Sequence, residues 1–171
     1  MITEETLKGS YSEGDALAIY NEIKQENQFA DFCRRFMHNE DSQVARNALW
    51  GVTKATKAEL SQLQPLLNEL IDLAMSSDNS SVRRLTLCLI ERLHMQEDDL
   101  RTDFLDFCLE HMADMEEYPG IQSLCMKIAY RMCKFYPELM DEFLRTIDAM
   151  EIECYKPAVK SVRNRILAGS L

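Results

Sequence analysis

The sequence predicts an all-α, right-handed α-α superhelix: a solenoid of four two-helix repeats behind an N-terminal capping helix. The first observation is a repeat of 38 or 39 residues, marked by one apolar residue in each copy: Val44, Val82, Ile121 and Val159. The second is another large apolar residue twelve positions before each of these: Phe32, Leu70, Leu109 and Ile147. The third is a scarcity of turn formers, with five Gly and four Pro in 171 residues. Repeats of this length, which bury their apolar faces only against neighbours, are typical of α-solenoids.

The chain divides into a cap and four repeats when the elements are taken in order. Ser12 to Gln25 has the apolar spacing of a helix, and residues 1–26 are therefore predicted to form the N-terminal cap. Each following repeat has an apolar first helix, a turn and an apolar second helix. The predicted repeats of this single domain span residues 27–57, 58–95, 96–136 and 137–171.

Repeat two shows the helix signals most clearly. Its first helix carries apolar residues at three- and four-residue steps, and we expect the helix proper to begin near Gln64 because Pro65 is tolerated in a first turn. Residues 76–81, SSDNSS, are rich in N-cap formers and predict the stop before the second helix. The second helix then begins at Val82.

Composition limits the kind of protein and its environment. The chain has six scattered cysteines without a Cys-x-x-Cys pair, so neither a disulfide framework nor a zinc site is predicted. Its acidic start does not resemble a signal peptide, and no apolar run approaches the ~20 residues of a membrane span. We therefore expect a cytoplasmic protein with no membrane partner, and with cysteines that are mostly small core residues.

The openings of two second helices resemble the HEAT/armadillo-like superfamily. Residues 78–84, DNSSVRR, are similar to the Asp and Val-Arg pattern that opens a HEAT second helix, and residues 41–48, DSQVARNA, match it more loosely. The resemblance covers roughly residues 27–168, and repeats three and four keep the apolar spacing without the Asp. It implies binding or scaffolding rather than catalysis, with the second helices lining a concave surface.

Charge separates between the two kinds of helix. The second-helix segments, 41–57, 78–95, 119–136 and 155–171, carry 13 Lys and Arg against three acids, whereas the rest of the chain carries six against 26. The net charge of −10 therefore averages two surfaces of opposite sign.

The basic residues also recur in register. Counted from the aligned apolar residue, they fall at offsets of two, six, ten and thirteen, which share one helix face. With the only tryptophan at offset six, they form a predicted binding surface, the basic stripe: Arg46, Trp50, Lys54, Lys57, Arg84, Arg92, Lys127, Arg131, Lys134 and Arg165. An equally weighted interpretation is a solvated helix face, since Lys and Arg in late turns complement the helix dipole.

No catalytic or metal-binding constellation is predicted. The three histidines, His38, His94 and His111, lie in different repeats, and there is no His-Glu-x-x-His or Gly-rich phosphate loop. No cofactor is expected.

Three functions remain open at this point. The first is a non-catalytic scaffold that holds an anionic partner, an acidic protein segment or nucleic acid, on the basic stripe; a protein partner is favoured. The second rests on residues 81–84, SVRR, which resemble second-helix starts of the HEAT-like alkylpurine DNA glycosylases; fewer repeats and the lack of an acid on the stripe argue against that activity. The third is an acidic protein whose outer surface binds a basic partner.

Overall fold

The computed structural model describes residues 1–171 and consists of two compact units, residues 1–94 and 95–171. Every regular element is helical, which confirms the all-α fold class. The division between the units lies beside the predicted boundary between repeats two and three. Each unit thus contains two predicted repeats, while the assignment of the whole chain to one domain stays a prediction.

The first unit contains seven α-helices. A 3-10 segment, Ser61–Leu66, joins the fifth to the sixth. The helices are α1 (Glu4–Lys8), α2 (Glu13–Glu26), α3 (Phe29–Phe36), α4 (Ser42–Val52), α5 (Lys57–Leu60), α6 (Leu67–Ser76) and α7 (Ser80–Arg92).

The second unit contains four longer α-helices and two 3-10 turns. The turns are Glu97–Asp99 and Ile152–Cys154. The helices are α8 (Thr102–Ala113), α9 (Pro119–Cys133), α10 (Pro137–Asp148) and α11 (Pro157–Leu167). Three of them begin with proline at their first position, where the missing N–H costs nothing.

Two capping boxes fix helix starts in the first unit. Ser12 Oγ accepts from the Asp15 N–H at 3.1 Å, and the Asp15 carboxylate accepts from the Ser12 N–H at 2.9 Å, so α2 begins at the next residue. Thr56 and Glu59 form the same box at the start of α5. Each box satisfies N–H groups that the helix itself leaves without acceptors.

The first helix of repeat two differs from the prediction. A helix was expected to begin near Gln64, but a short helix already begins at Lys57 and continues as a 3-10 turn that contains Pro65. The cause is the Thr56–Glu59 box, which starts a helix about two turns earlier, and the proline, which cannot donate to an i−4 carbonyl.

Helix α4 lies at the centre of the first unit, in contact with α1, α2, α3 and α7. Its Val44, Leu49 and Val52 are completely buried. Its Gly51 lies directly against Ile19 of α2, because a Cβ built on Gly51 would stand only 3.0 Å from the Ile19 Cβ. The glycine thus permits the close approach of the capping helix.

Each second helix also closes the end of a preceding helix. Each of the helices α4, α7, α9 and α11 has one polar side chain that donates to carbonyl groups without an intrahelical partner. The bonds run from Asn47 to Leu7 and Ser10 (2.7 and 2.9 Å), from Arg83 to Ala74 and Ser77 (2.9 and 2.7 Å), from Gln122 to Asp114 (2.6 Å) and from Arg163 to Ile147 (2.8 Å).

Candidate binding surfaces

The first unit carries six residues of the predicted basic stripe, which we call the first basic surface. Helices α4 and α7 pack against each other, so offsets two and ten of the two repeats lie on neighbouring helices. The surface comprises Arg46, Trp50, Lys54, Lys57, Arg84 and Arg92.

Trp50 is half-buried between Arg46 of its own helix and Lys54 of the turn that follows the helix. The Arg46 guanidinium carbon lies 5.2 Å from the centre of the Trp50 ring, and the Lys54 ammonium lies 5.9 Å from it. Cations at these distances are attracted by the ring quadrupole. The indole therefore holds Arg46 and Lys54 in place and is partly covered by them.

Two acids reduce the positive charge of the first basic surface. The Lys54 ammonium forms an ion pair with Glu13 of α2, a residue 41 positions away in the chain. Glu91 of α7 is half-buried next to Arg92. The surface is therefore less uniformly basic than the second-helix segments suggest.

Arg92 has a structural contact at the edge of this surface. Its guanidinium donates two hydrogen bonds to the end of α4, from Nη1 to the Thr53 carbonyl at 2.9 Å and from Nη2 to the Ala55 carbonyl at 2.7 Å. These bonds satisfy carbonyls beyond the last turn of α4 and join α7 to it. The Arg92 guanidinium keeps its positive charge, but its two terminal N–H donors point to the protein.

Arg84 and Lys57 are exposed and form no ion pair. Arg84 follows Arg83, whose donors are used by the end of α6, so the two adjacent arginines point in different directions. These two cations are the part of the first basic surface that is free to meet a ligand.

The second basic surface comprises Lys127 and Arg131 of α9, Lys134 directly after that helix, and Arg165 of α11. The two helices pack against each other, and neither contains an acidic residue. The Lys134 ammonium lies 4.4 Å from the centre of the Tyr130 ring. Lys127 is half-buried, Arg165 is exposed, and neither forms an ion pair.

With the repeats and their surfaces described, comparison with protein families gives one result: the profile described as HEAT repeat domain matches residues 3–170. The chain belongs to the HEAT repeat family. The match confirms the family resemblance in the second-helix openings and extends it over the N-terminal cap. A search of curated proteins and a search of solved structures each found no match.

The HEAT repeat chain places most of its thiols in the core, as predicted. Cys33, Cys108, Cys125 and Cys133 are buried, and Cys154 is exposed. Burial raises the pKa of the Cys33 thiol to about 12 and that of Cys133 to about 11, so both are protonated and unreactive at neutral pH.

Acidic side chains cluster at two turns of the second unit. Asp114 and Glu116 follow α8, Glu151 follows α10, and all three are exposed. The Tyr155 hydroxyl donates to the Ala113 carbonyl at 2.9 Å and so joins the two turns. Burial raises the pKa of Tyr155, and the negative charges of its neighbours, including Glu151 and Asp114, raise it further.

No helix of this HEAT repeat protein combines the length and the low charge that crossing a bilayer requires.

Sequence reasoning missed the end-closing bonds of Arg83, Arg92 and Arg163, because no pattern shows which arginine folds back onto a carbonyl. It also missed the Lys54–Glu13 pair, whose partners meet only after α2 packs on α4.

Proposed function

We propose that this HEAT repeat protein is a non-catalytic interaction scaffold that binds an anionic partner on its basic surfaces. One observation carries the proposal: Lys57, Arg84, Lys127 and Arg165 form no ion pair although the chain has an excess of ten negative charges. Acids are plentiful, yet α4, α9 and α11 contain none, α7 contains only Glu91, and α5, which begins with Lys57, contains only Glu59.

The basic surfaces should attract an anionic partner because holding like charges together costs free energy. Neighbouring cations repel one another, and an anionic ligand relieves that repulsion while releasing counterions. Such a surface also speeds the encounter with an anionic partner, because the field steers it before contact. The acidic remainder of the chain limits this attraction to the second helices and to the start of α5, where Lys57 lies.

A titration with labelled polyanions tests the proposal. Fluorescence anisotropy is followed for a polyglutamate peptide, single-stranded DNA and duplex DNA, each between ~50 and ~200 mM salt. Emission from Trp50, the only tryptophan, is recorded in parallel and reports binding at the first basic surface.

We expect binding that weakens with salt and shifts the Trp50 emission, with the peptide favoured over both DNA probes. Tighter binding of duplex DNA would instead support a nucleic-acid-processing role. If no polyanion binds at the lowest salt concentration, the proposal is wrong and the cations are a solvated helix face.

A basic partner is the second candidate, because Asp114 and Glu116 are exposed on either side of Met115, itself 51% exposed, and Glu151 is exposed at the turn that Tyr155 joins to this one. A polylysine peptide in the same titration tests it. Binding of polylysine without binding of polyglutamate would assign recognition to the acidic turns.

A further inference from the structure

An apolar groove lies beside the first basic surface, between the start of α5 and the end of α7. Its volume is about 430 Å³. One side is formed by Lys57, Ala58, Ser61 and Gln64, and the other by Arg92, Leu93 and His94.

Hydrogen bonds hold both walls of the groove in place. The Gln64 side chain donates to the His94 carbonyl at 2.8 Å and accepts from the His94 N–H at 3.0 Å, which fixes the chain after α7. Arg92 is fixed by its two bonds to the end of α4. The groove is therefore formed before any ligand arrives, and a ligand loses little free energy in ordering it.

The groove combines an apolar interior with a positive edge. The exposed Ala58 and the carbon chains of Lys57 and Arg92 provide most of the aliphatic surface, since Leu93 is only 4% exposed. Lys57 has no ion pair, and the Arg92 guanidinium keeps its charge beside the groove. Lys57 and Arg92 belong to both the groove and the first basic surface, so the two form one continuous site.

We infer that the groove receives an apolar side chain of an acidic protein segment whose carboxylates bind the first basic surface. The inference rests on the proposed function and specifies its partner. An aliphatic side chain is the group that this interior accepts, because it needs no hydrogen-bond partner and gains from leaving water. Lys57 at the edge then pairs with a carboxylate beside that side chain, while the charge of Arg92, whose donors are used by α4, adds only long-range attraction.

Nucleic acid fits the same site less well. Bases bind through stacking on planar aromatic rings or through hydrogen bonds to their edges, and the only such ring in the lining is the imidazole of His94. The nearby aromatic ring, Trp50, is already contacted by Arg46 and Lys54. A phosphate backbone would use the cations and leave the apolar interior exposed to water.

Two labelled peptides that differ in one side chain test the inference. The first is polyglutamate with a central Leu, and the second has Ala at that position. On the full chain we expect the Leu peptide to bind about tenfold more tightly, which is the effect of burying a few more methylene groups. Single-stranded DNA of matched charge serves as the nucleic-acid probe.

The variant Ala58→Glu connects this difference to the groove. Ala58 is exposed and is the second residue of α5, where an acid is favourable for the helix, so the fold is retained. The new carboxylate lies at the groove and should abolish the preference for Leu over Ala. Ala18→Glu, the same change at an exposed position of α2, is the control and should preserve the preference.

The outcomes separate the two proposals. If both peptides bind equally, or if Ala58→Glu leaves the tenfold preference intact, the groove inference is wrong while the basic surfaces stand. Tighter binding of DNA than of the Leu peptide also overturns it. If neither the peptides nor the single-stranded DNA bind at ~50 mM salt, the proposed function fails and the inference fails with it; binding of the DNA alone overturns only the inference.

Discussion

Arg84 and Arg92 of α7 share a residue type and a helical register, yet they differ in their contacts. Arg92 donates to two carbonyls at the end of α4, whereas Arg84 is exposed and forms no ion pair. The first contributes to folding and the second is available for binding. A binding test based on Arg92 would therefore confuse loss of affinity with loss of structure.

Replacement of each arginine by alanine should separate these roles. We expect Arg92→Ala to lower the free energy of unfolding by about 1.5–3 kcal/mol, because two hydrogen bonds from a charged donor are lost and two carbonyls lose their partner. Arg84→Ala should change it by less than about 0.5 kcal/mol, as is usual for exposed sites. Urea denaturation measures both, and equal values for the two variants would contradict the assignment.

The carboxylates of the two capping boxes should make stability depend on pH. The Tyr11 N–H is the largest of the influences that lower the pKa of Asp15, and the Thr56 N–H is the largest of those that lower the pKa of Glu59. A folded-state pKa below the unfolded value means that the unfolded chain binds more protons on acidification. The stabilisation that the ionised Asp15 and Glu59 provide is therefore complete above about pH 5 and is lost as the pH falls below about 4.

The measurement is the melting temperature of the protein and of the double variant Asp15→Asn/Glu59→Gln across this range. Amides keep an acceptor for the N–H groups but do not titrate. We expect the melting temperature of the protein to fall more steeply on acidification than that of the variant. Identical slopes would show that these carboxylates do not contribute to the pH dependence.

At the level of elements, the contact between α2 and α4 depends on Gly51. Its missing side chain permits Ile19 to approach the α4 backbone, which closes the apolar end of repeat one. Glycine within a helix is unfavourable by about 1 kcal/mol relative to alanine. Its presence here indicates that the close approach is worth more than that loss.

Gly51→Ala should therefore destabilise the protein by about 1–3 kcal/mol in spite of its better helix propensity. Gly14→Ala is the matched control, because a Cβ there would meet only Ser12 Oγ, at 3.6 Å, and should be neutral or stabilising. In an Ile19→Ala background the cost of Gly51→Ala should shrink, since the clashing methyl group is gone. Denaturation of the four variants provides the comparison, and a stabilising Gly51→Ala would show that the helices are not in close contact.

The elements also show what the sequence could predict. The second helix of repeat two was predicted to within two residues: it begins at Ser80 and not at Val82, because Asn79 of the predicted stop caps it. The start at Lys57 was missed although Thr56 and Glu59 have the spacing of a capping box, a signal that was present in the sequence. Helix α1 was missed because five residues are too few to show periodicity.

At the scale of the whole molecule, charge is divided by helix type. First helices and turns carry most of the acids, and second helices carry most of the bases. The register of the bases could be predicted from sequence because helix geometry fixes which offsets share a face. The sequence could not predict which of these basic residues are neutralised by an acid, since Glu13 reaches Lys54 only through the packing of α2 on α4.

The most direct test of the central claim reverses one uncompensated cation on each basic surface. The double variant Arg84→Glu/Arg165→Glu is compared with the control variant Lys24→Glu/Arg145→Glu. Both control residues are exposed and lie outside the basic surfaces. Each double variant changes the net charge of the protein from −10 to −14, so the two are matched in charge. Anisotropy of the labelled Leu-containing polyglutamate peptide at ~50 mM salt gives the affinity. We expect the first pair to bind at least about tenfold more weakly than the control pair, with unchanged melting temperatures. Equal weakening of both pairs would show that only the overall charge matters and would contradict binding at the basic surfaces.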